Sequence, residues 1–138
     1  MALPDTLKPS PYTSLTTGIS SASVANGSTY TGSEIDNTST RYSLMAVEVA
    51  WSYTTAPTAN KTVEVQITEC LDGTNYEDSP RTIAAFSPPA DTATHRRVLL
   101  RDYPLVADKF KLHVRNVDTG QTISVTVNAY AYDMRVEE

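Results

Sequence analysis

The stretch RYSLMAVEVAWSYTT, residues 41–55, decides the fold. Met45, Val47, Val49, Trp51 and Tyr53 alternate with Ala46, Glu48, Ala50, Ser52 and Thr54. A period of two places successive side chains on opposite sides of an extended backbone, so this is a strand with one buried face. Trp51 shares that face with Val47 and Val49 and is expected in the core. Working outward, residues 56–60 (APTAN) break the run, and Lys61–Leu71 repeats it with Val63, Val65 and Ile67 inward and Glu64, Gln66 and Thr68 outward. The two strands are expected to form an antiparallel pair. The turn Asp72-Gly73-Thr74-Asn75 follows.

Farther along, the Pro-rich loop SPPADTAT (87–94) precedes a block carrying Val98 and Leu100, which Tyr103-Pro104 ends because proline cannot donate to a ladder. Lys109–Val117 reads as a strand with Phe110, Leu112 and Val114 inward and Lys109, Lys111, His113 and Arg115 outward. Asp118-Thr119-Gly120 supplies a hairpin turn into a last strand, Gln121–Asp133, with Ile123, Val125, Val127, Ala129 and Ala131 on one face. Toward the N-terminus, residues 15–40 are rich in Ser, Thr, Gly and Asn. They are expected to form short or edge strands with Ile19, Val24, Tyr30 and Ile35 as inward anchors. Residues 1–14 hold Pro4, Pro9 and Pro11 among small polar residues and read as an extended arm, either a frayed end or a strap that orders on a neighbouring subunit.

The whole is an all-β chain: a two-sheet antiparallel sandwich of jelly-roll or immunoglobulin-like topology (residues 15–138) with an extended N-terminal arm (residues 1–14). With 138 residues, one core suffices. A formal net charge of −5 argues against nucleic acid as a partner, because a phosphate backbone requires a concentrated positive surface. No apolar run approaches the roughly 20 residues that cross a bilayer, so no membrane partner is expected. Cys70, the single cysteine, excludes an intramolecular disulfide and a thiolate zinc cluster.

No catalytic, cofactor-binding or metal-ligating residues are assigned, and the chain is expected not to be an enzyme. His113 sits among Lys109, Lys111 and Arg115 on a polar strand face, and His95 is followed by Arg96 and Arg97, surroundings that oppose a bound cation. Asp72, Glu77 and Asp78 could offer oxygens to calcium but lack the ligand ladder of an EF-hand, and a structural turn explains them better. There is no GxSxG elbow and no glycine-rich phosphate cradle. Tyr130 and Tyr132 share the last strand's polar face with Thr122, Ser124, Thr126 and Asn128. Amphipathic aromatics on such a face suit contact with another subunit or a ligand, the alternative being burial under the N-terminal segment. With Leu3, Pro4, Leu7, Pro9, Pro11 and Tyr12 of the arm, they are the candidate contact residues.

The segments ISSASVANGSTYTGSEID (19–36), LDGTNYED (71–78) and DKFKLHVRNVDTGQTISVTVNAYAY (108–132) together resemble small virion structural proteins of tailed phages, of the capsid decoration or cement type. The resemblance covers about Gly18–Tyr132. It implies a non-enzymatic β-sandwich that binds the capsid exterior, usually as a homotrimer, after assembly in the host cytoplasm, with the major capsid protein and its own copies as partners and no cofactor. Two alternatives stay open: a tail, baseplate or fibre-associated structural protein, and a carbohydrate-binding sandwich whose partner is a glycan.

Overall fold

In the computed structural model, residues 6–9, 11, 13–15, 18–39 and 41–137 are described, with 6–9 and 135–137 described by their backbone. The strands in chain order are β1 (Thr6–Pro9), β2 (Thr13–Ser14), β3 (Ile19–Val24), β4 (Thr29–Thr31), β5 (Ile35–Asp36), β6 (Leu44–Tyr53), β7 (Val63–Cys70), β8 (Arg81–Phe86), β9 (His95–Pro104), β10 (Lys109–Asn116), β11 (Ile123–Tyr132) and β12 (Met134–Glu137). One sheet runs β2-β11-β6-β9, with β3 beside β2 on β11, and the other runs β4-β10-β7-β8, with β5 beside β4 on β10. All pairings are antiparallel.

Counting the eight main strands from β3 to β11 and leaving out the short β5, the first lies beside the eighth, then the third and sixth. The second lies beside the seventh, then the fourth and fifth. That interleaving is the jelly-roll order, which decides between the two topologies the sequence allowed.

The inward rows are those the alternation marks. Met45, Val47, Val49, Trp51 and Tyr53 of β6 meet Val63, Val65 and Ile67 of β7 and Phe110, Leu112 and Val114 of β10 across the core. Trp51 is 3% exposed, and its ring lies 4.5 Å from that of Phe86 on the opposite sheet. Ile19, Val24 and Ile35 are buried as expected. Tyr30 is not: it is 40% exposed on β4, where its neighbours Thr29 and Thr31 are exposed too.

Strand partners differ from the expectation in two places. β6 and β7 do not pair; β6 lies between β11 and β9, and β7 between β10 and β8. Both strands bury one face, so each takes a central place in its own sheet and the two rows pack face to face. Likewise, 118–120 is not a hairpin turn, because β10 and β11 belong to different sheets and the turn crosses between them. Asn116, fully buried, anchors this crossing: its Nδ2 donates to the carbonyls of Val24 (3.0 Å) and Gln121 (2.7 Å), and its Oδ1 accepts from Thr119 Oγ1 (2.5 Å). Gly32 marks another constraint. A Cβ there would stand 2.6 Å from Gly18 O and 2.9 Å from Leu112 O, so only glycine lets the chain after β4 approach both.

β1 and β12 form a two-stranded ribbon, Thr6 opposite Glu137 and Pro9 opposite Met134. Thr13–Ser14 belongs to the sandwich itself, paired with Ala131 and Tyr130 of β11.

Candidate binding surface

The outward row of β6 reads Leu44, Ala46, Glu48, Ala50, Ser52, and Ala46 lies opposite Tyr130 of β11. On the other flank Glu48 lies opposite Val98 of β9. Because adjacent strands are about 4.8 Å apart, Tyr130 and Val98 rise on strands about 10 Å apart, with Ala46 and Glu48 of β6 between them. The result is a recess of about 380 Å³ lined by Ala46, Val47, Glu48, Val98, Arg101 and Tyr130.

Its walls have distinct chemistry. Tyr130 is half-buried, leaving part of its ring to solvent, and Val98 is 44% exposed. The Glu48 carboxylate, with its side chain 18% exposed, is held by Arg96 at 3.3 Å. Arg101 is exposed and makes no ion pair among the described residues. The recess thus brings together a ring, an aliphatic wall, a carboxylate ion-paired with Arg96, and an arginine with no ion pair among the described residues.

Two bulges in β9 shape this wall, one between the positions facing Val47 and Glu48 and one between those facing Met45 and Val47. Asp102, with φ of 56°, sits in the second. It is pinned by Tyr132, whose hydroxyl donates to Asp102 Oδ1 and accepts from Asp102 N at 2.7 Å. Tyr132 therefore departs from the expectation of an exposed contact: it is 1% exposed, with its hydroxyl bound to Asp102 in the β9 bulge. Of the other candidate contacts, Leu3, Pro4 and Tyr12 lie outside the described residues. Leu7 and Pro9 stand in β1, opposite Val136 and Met134, and Pro11 is exposed.

His113 also differs. It lies on the polar face of β10 but is 5% exposed, its Nδ1 at 3.0 Å from Thr31 Oγ1 and its Nε2 at 2.9 Å from Thr68 Oγ1. Burial, and then the Lys111 charge, push its pKa below the usual histidine range. The acidic turn is occupied by its own chain. Asp72 accepts from Asn75 N (2.7 Å), Asn75 Nδ2 (2.9 Å) and Thr74 N (2.8 Å), which hold its carboxyl well below the usual carboxylate range. Glu77 is ion-paired with Arg81 at 2.8 Å. Burial raises the Cys70 thiol, adding to the effect of Asp72 beside it.

Sequence reasoning singled out Tyr130 as a contact candidate and did not point to Arg101, Val98, Glu48 or Ala46, which line the recess with it. The available sign was the pair of alanines, Ala46 and Ala50, at outward positions of a long strand where larger polar residues are usual.

No family model matches the chain, and no curated protein matches it. Among solved structures, it is similar to a chain of infectious bursal disease virus, Gx strain, with a TM-score of 0.52 and 11% identity over 94% of this chain. The present chain spans about a third of that viral chain (32%). It also matches a CBM36 carbohydrate-binding module in complex with calcium and xylotriose, with a TM-score of 0.46 and 11% identity, covering 94% of this chain and 93% of that one. At these identities the likeness to the viral chain establishes a shared β-sandwich fold.

Proposed function

We propose that this chain is a non-enzymatic structural protein of a tailed-phage virion, bound to the outside of the assembled capsid as a decoration protein. The observation that carries this reading is the β1–β12 ribbon, which stands outside both sheets of the sandwich. Among the described residues each of its strands pairs with the other alone, so each presents a second strand edge with no partner among them. Such edges attach to neighbours by strand addition, and repetition over a symmetric shell turns weak contacts into firm retention. Support also comes from the resemblance within residues 19–36, 71–78 and 108–132. The jelly-roll order is one that viral capsid and lectin domains share, so the fold by itself assigns no role. In this reading the partners are further copies of the chain, as a homotrimer, and the major capsid protein.

The test is removal of residues 1–10, which takes away β1 and leaves β2 in the sandwich. The truncated protein is expected to keep the urea midpoint of the sandwich but to lose co-sedimentation with capsids of the phage that encodes it. Undiminished co-sedimentation would remove the ribbon from the argument. Imaging of labelled particles decides the position: label on the tail, or on no part of the particle, would overturn capsid decoration.

A further inference from the structure

We propose that the recess between Tyr130 and Arg101 is a binding site for a single pyranose ring that carries a carboxylate, the chemistry of a uronic acid. This goes beyond capsid attachment and does not depend on it.

Shape points to one ring. Along the outward row of β6 the recess lies over Ala46, which is flanked by the larger Leu44 and Glu48. On one side stand Leu44 and the Tyr132–Asp102 hydrogen bonds, and on the other the Glu48–Arg96 ion pair closes the floor. An extended peptide would need a run of small residues along the strand, which Leu44 and Glu48 deny. The volume of about 380 Å³ lies at the small end of the range for ligand pockets, roughly 300–1,000 Å³.

Chemistry points to a charged sugar. A pyranose presents an apolar C–H face, which suits Tyr130 and Val98, and a hydroxyl rim, which suits a mixture of donors and acceptors. Glu48 is ion-paired with Arg96, and the Asp102 carboxylate is engaged by the Tyr132 hydroxyl, which leaves Arg101 as the lining cation with no ion pair among the described residues. The planar guanidinium can take a carboxylate through two parallel N–H···O bonds. On a chain of net charge −5, an exposed arginine with no acidic partner among the described residues is a cation free to recognise an anion.

The experiment is an NMR titration of the full chain with tri-galacturonic acid and, separately, with neutral galactotriose, following the backbone amides of Ala46, Glu48, Val98 and Arg101. The acidic sugar is expected to shift these amides saturably, with an affinity at least about tenfold above that of the neutral one, a gap that added salt narrows. Arg101→Gln should erase the difference between the two sugars. Tyr130→Ala should weaken the acidic sugar by about tenfold, as loss of a stacking face does. Ala46→Leu, which fills the floor, should abolish both, with the circular dichroism spectrum showing that each variant is folded.

Equal affinity for the neutral sugar would overturn the role of Arg101. No shift up to about 10 mM of either sugar would overturn the site. Stronger shifts of the same amides by a short Asp/Glu-containing peptide would overturn the sugar and give the recess to a protein. Neither of the last two results bears on whether the ribbon holds the chain to a capsid, which the truncation tests separately.

Discussion

His113 lies between two threonine hydroxyls on β4 and β7, and its surroundings favour the neutral ring. With its folded pKa below the unfolded value of about 6.5, the unfolded chain takes up a proton first as pH falls. The contribution of His113 to stability is therefore complete above about pH 6.5 and is lost as pH falls from there through the folded pKa. The lowered carboxylates do not blur this window. Asp72, held low by Asn75 and Thr74, and Glu77, held low by Arg81, lose their contributions only in more acid solution. Urea midpoints measured at about pH 7.5 and about pH 5.5 should fall more for the wild type than for His113→Gln. Parallel falls would mean that the imidazole is not the titrating group. The sequence marked the polar face of this residue and missed its burial, because alternation assigns a side but does not say how closely the adjacent strands crowd it.

At the scale of elements, β9 is the edge of its sheet and is broken by two bulges, devices that discourage edge-to-edge association. Its second bulge is tied to a buried hydroxyl, since Tyr132 both accepts from and donates to Asp102. Tyr132→Phe should lower stability by about 1 kcal/mol, the net worth of a hydrogen bond. It should also speed hydrogen exchange of the Asp102 amide; unchanged exchange would show that the φ of 56° is held by other forces.

The central strands were the legible ones. β6, β7, β10 and β11 each bury one apolar row, and their sequences say so. β8, RTIAAF, passed unread because an edge strand with a half-buried surface has no clean alternation. Neighbours were illegible for a different reason: the inward rows of β6 and β7 carry the same pattern whether the strands lie side by side or face to face. The recess was half legible. Tyr130 showed as an aromatic on a polar face, while Arg101 comes beside it only through the bulged register of β9, which no local pattern records.

Across the whole molecule, the two sheets share one apolar interior, with Trp51 on one sheet packed against Phe86 on the other. Neither sheet has a second hydrophobic face to rest on, so neither should survive alone. Fluorescence of Trp51, the single tryptophan, reports on the contact between sheets, and far-UV circular dichroism reports on the strands themselves. The two urea transitions should coincide. A fluorescence change that precedes the loss of strand signal would mean that the sheets part before they unravel.

The jelly-roll order also sets a timetable for the nascent chain. β3 finds its place only against β11, where Val24 faces Ile123, and β4 only against β10, where Tyr30 faces Val114. On the ribosome the early strands must therefore wait, unpaired, until nearly the whole chain has emerged. Closing loops of that length is slow, and waiting strands are exposed to wrong partners. The Ser, Thr, Gly and Asn that fill residues 18–40 suit such a wait, since a polar, weakly apolar segment has little to offer a stray edge while its own partners are still being made.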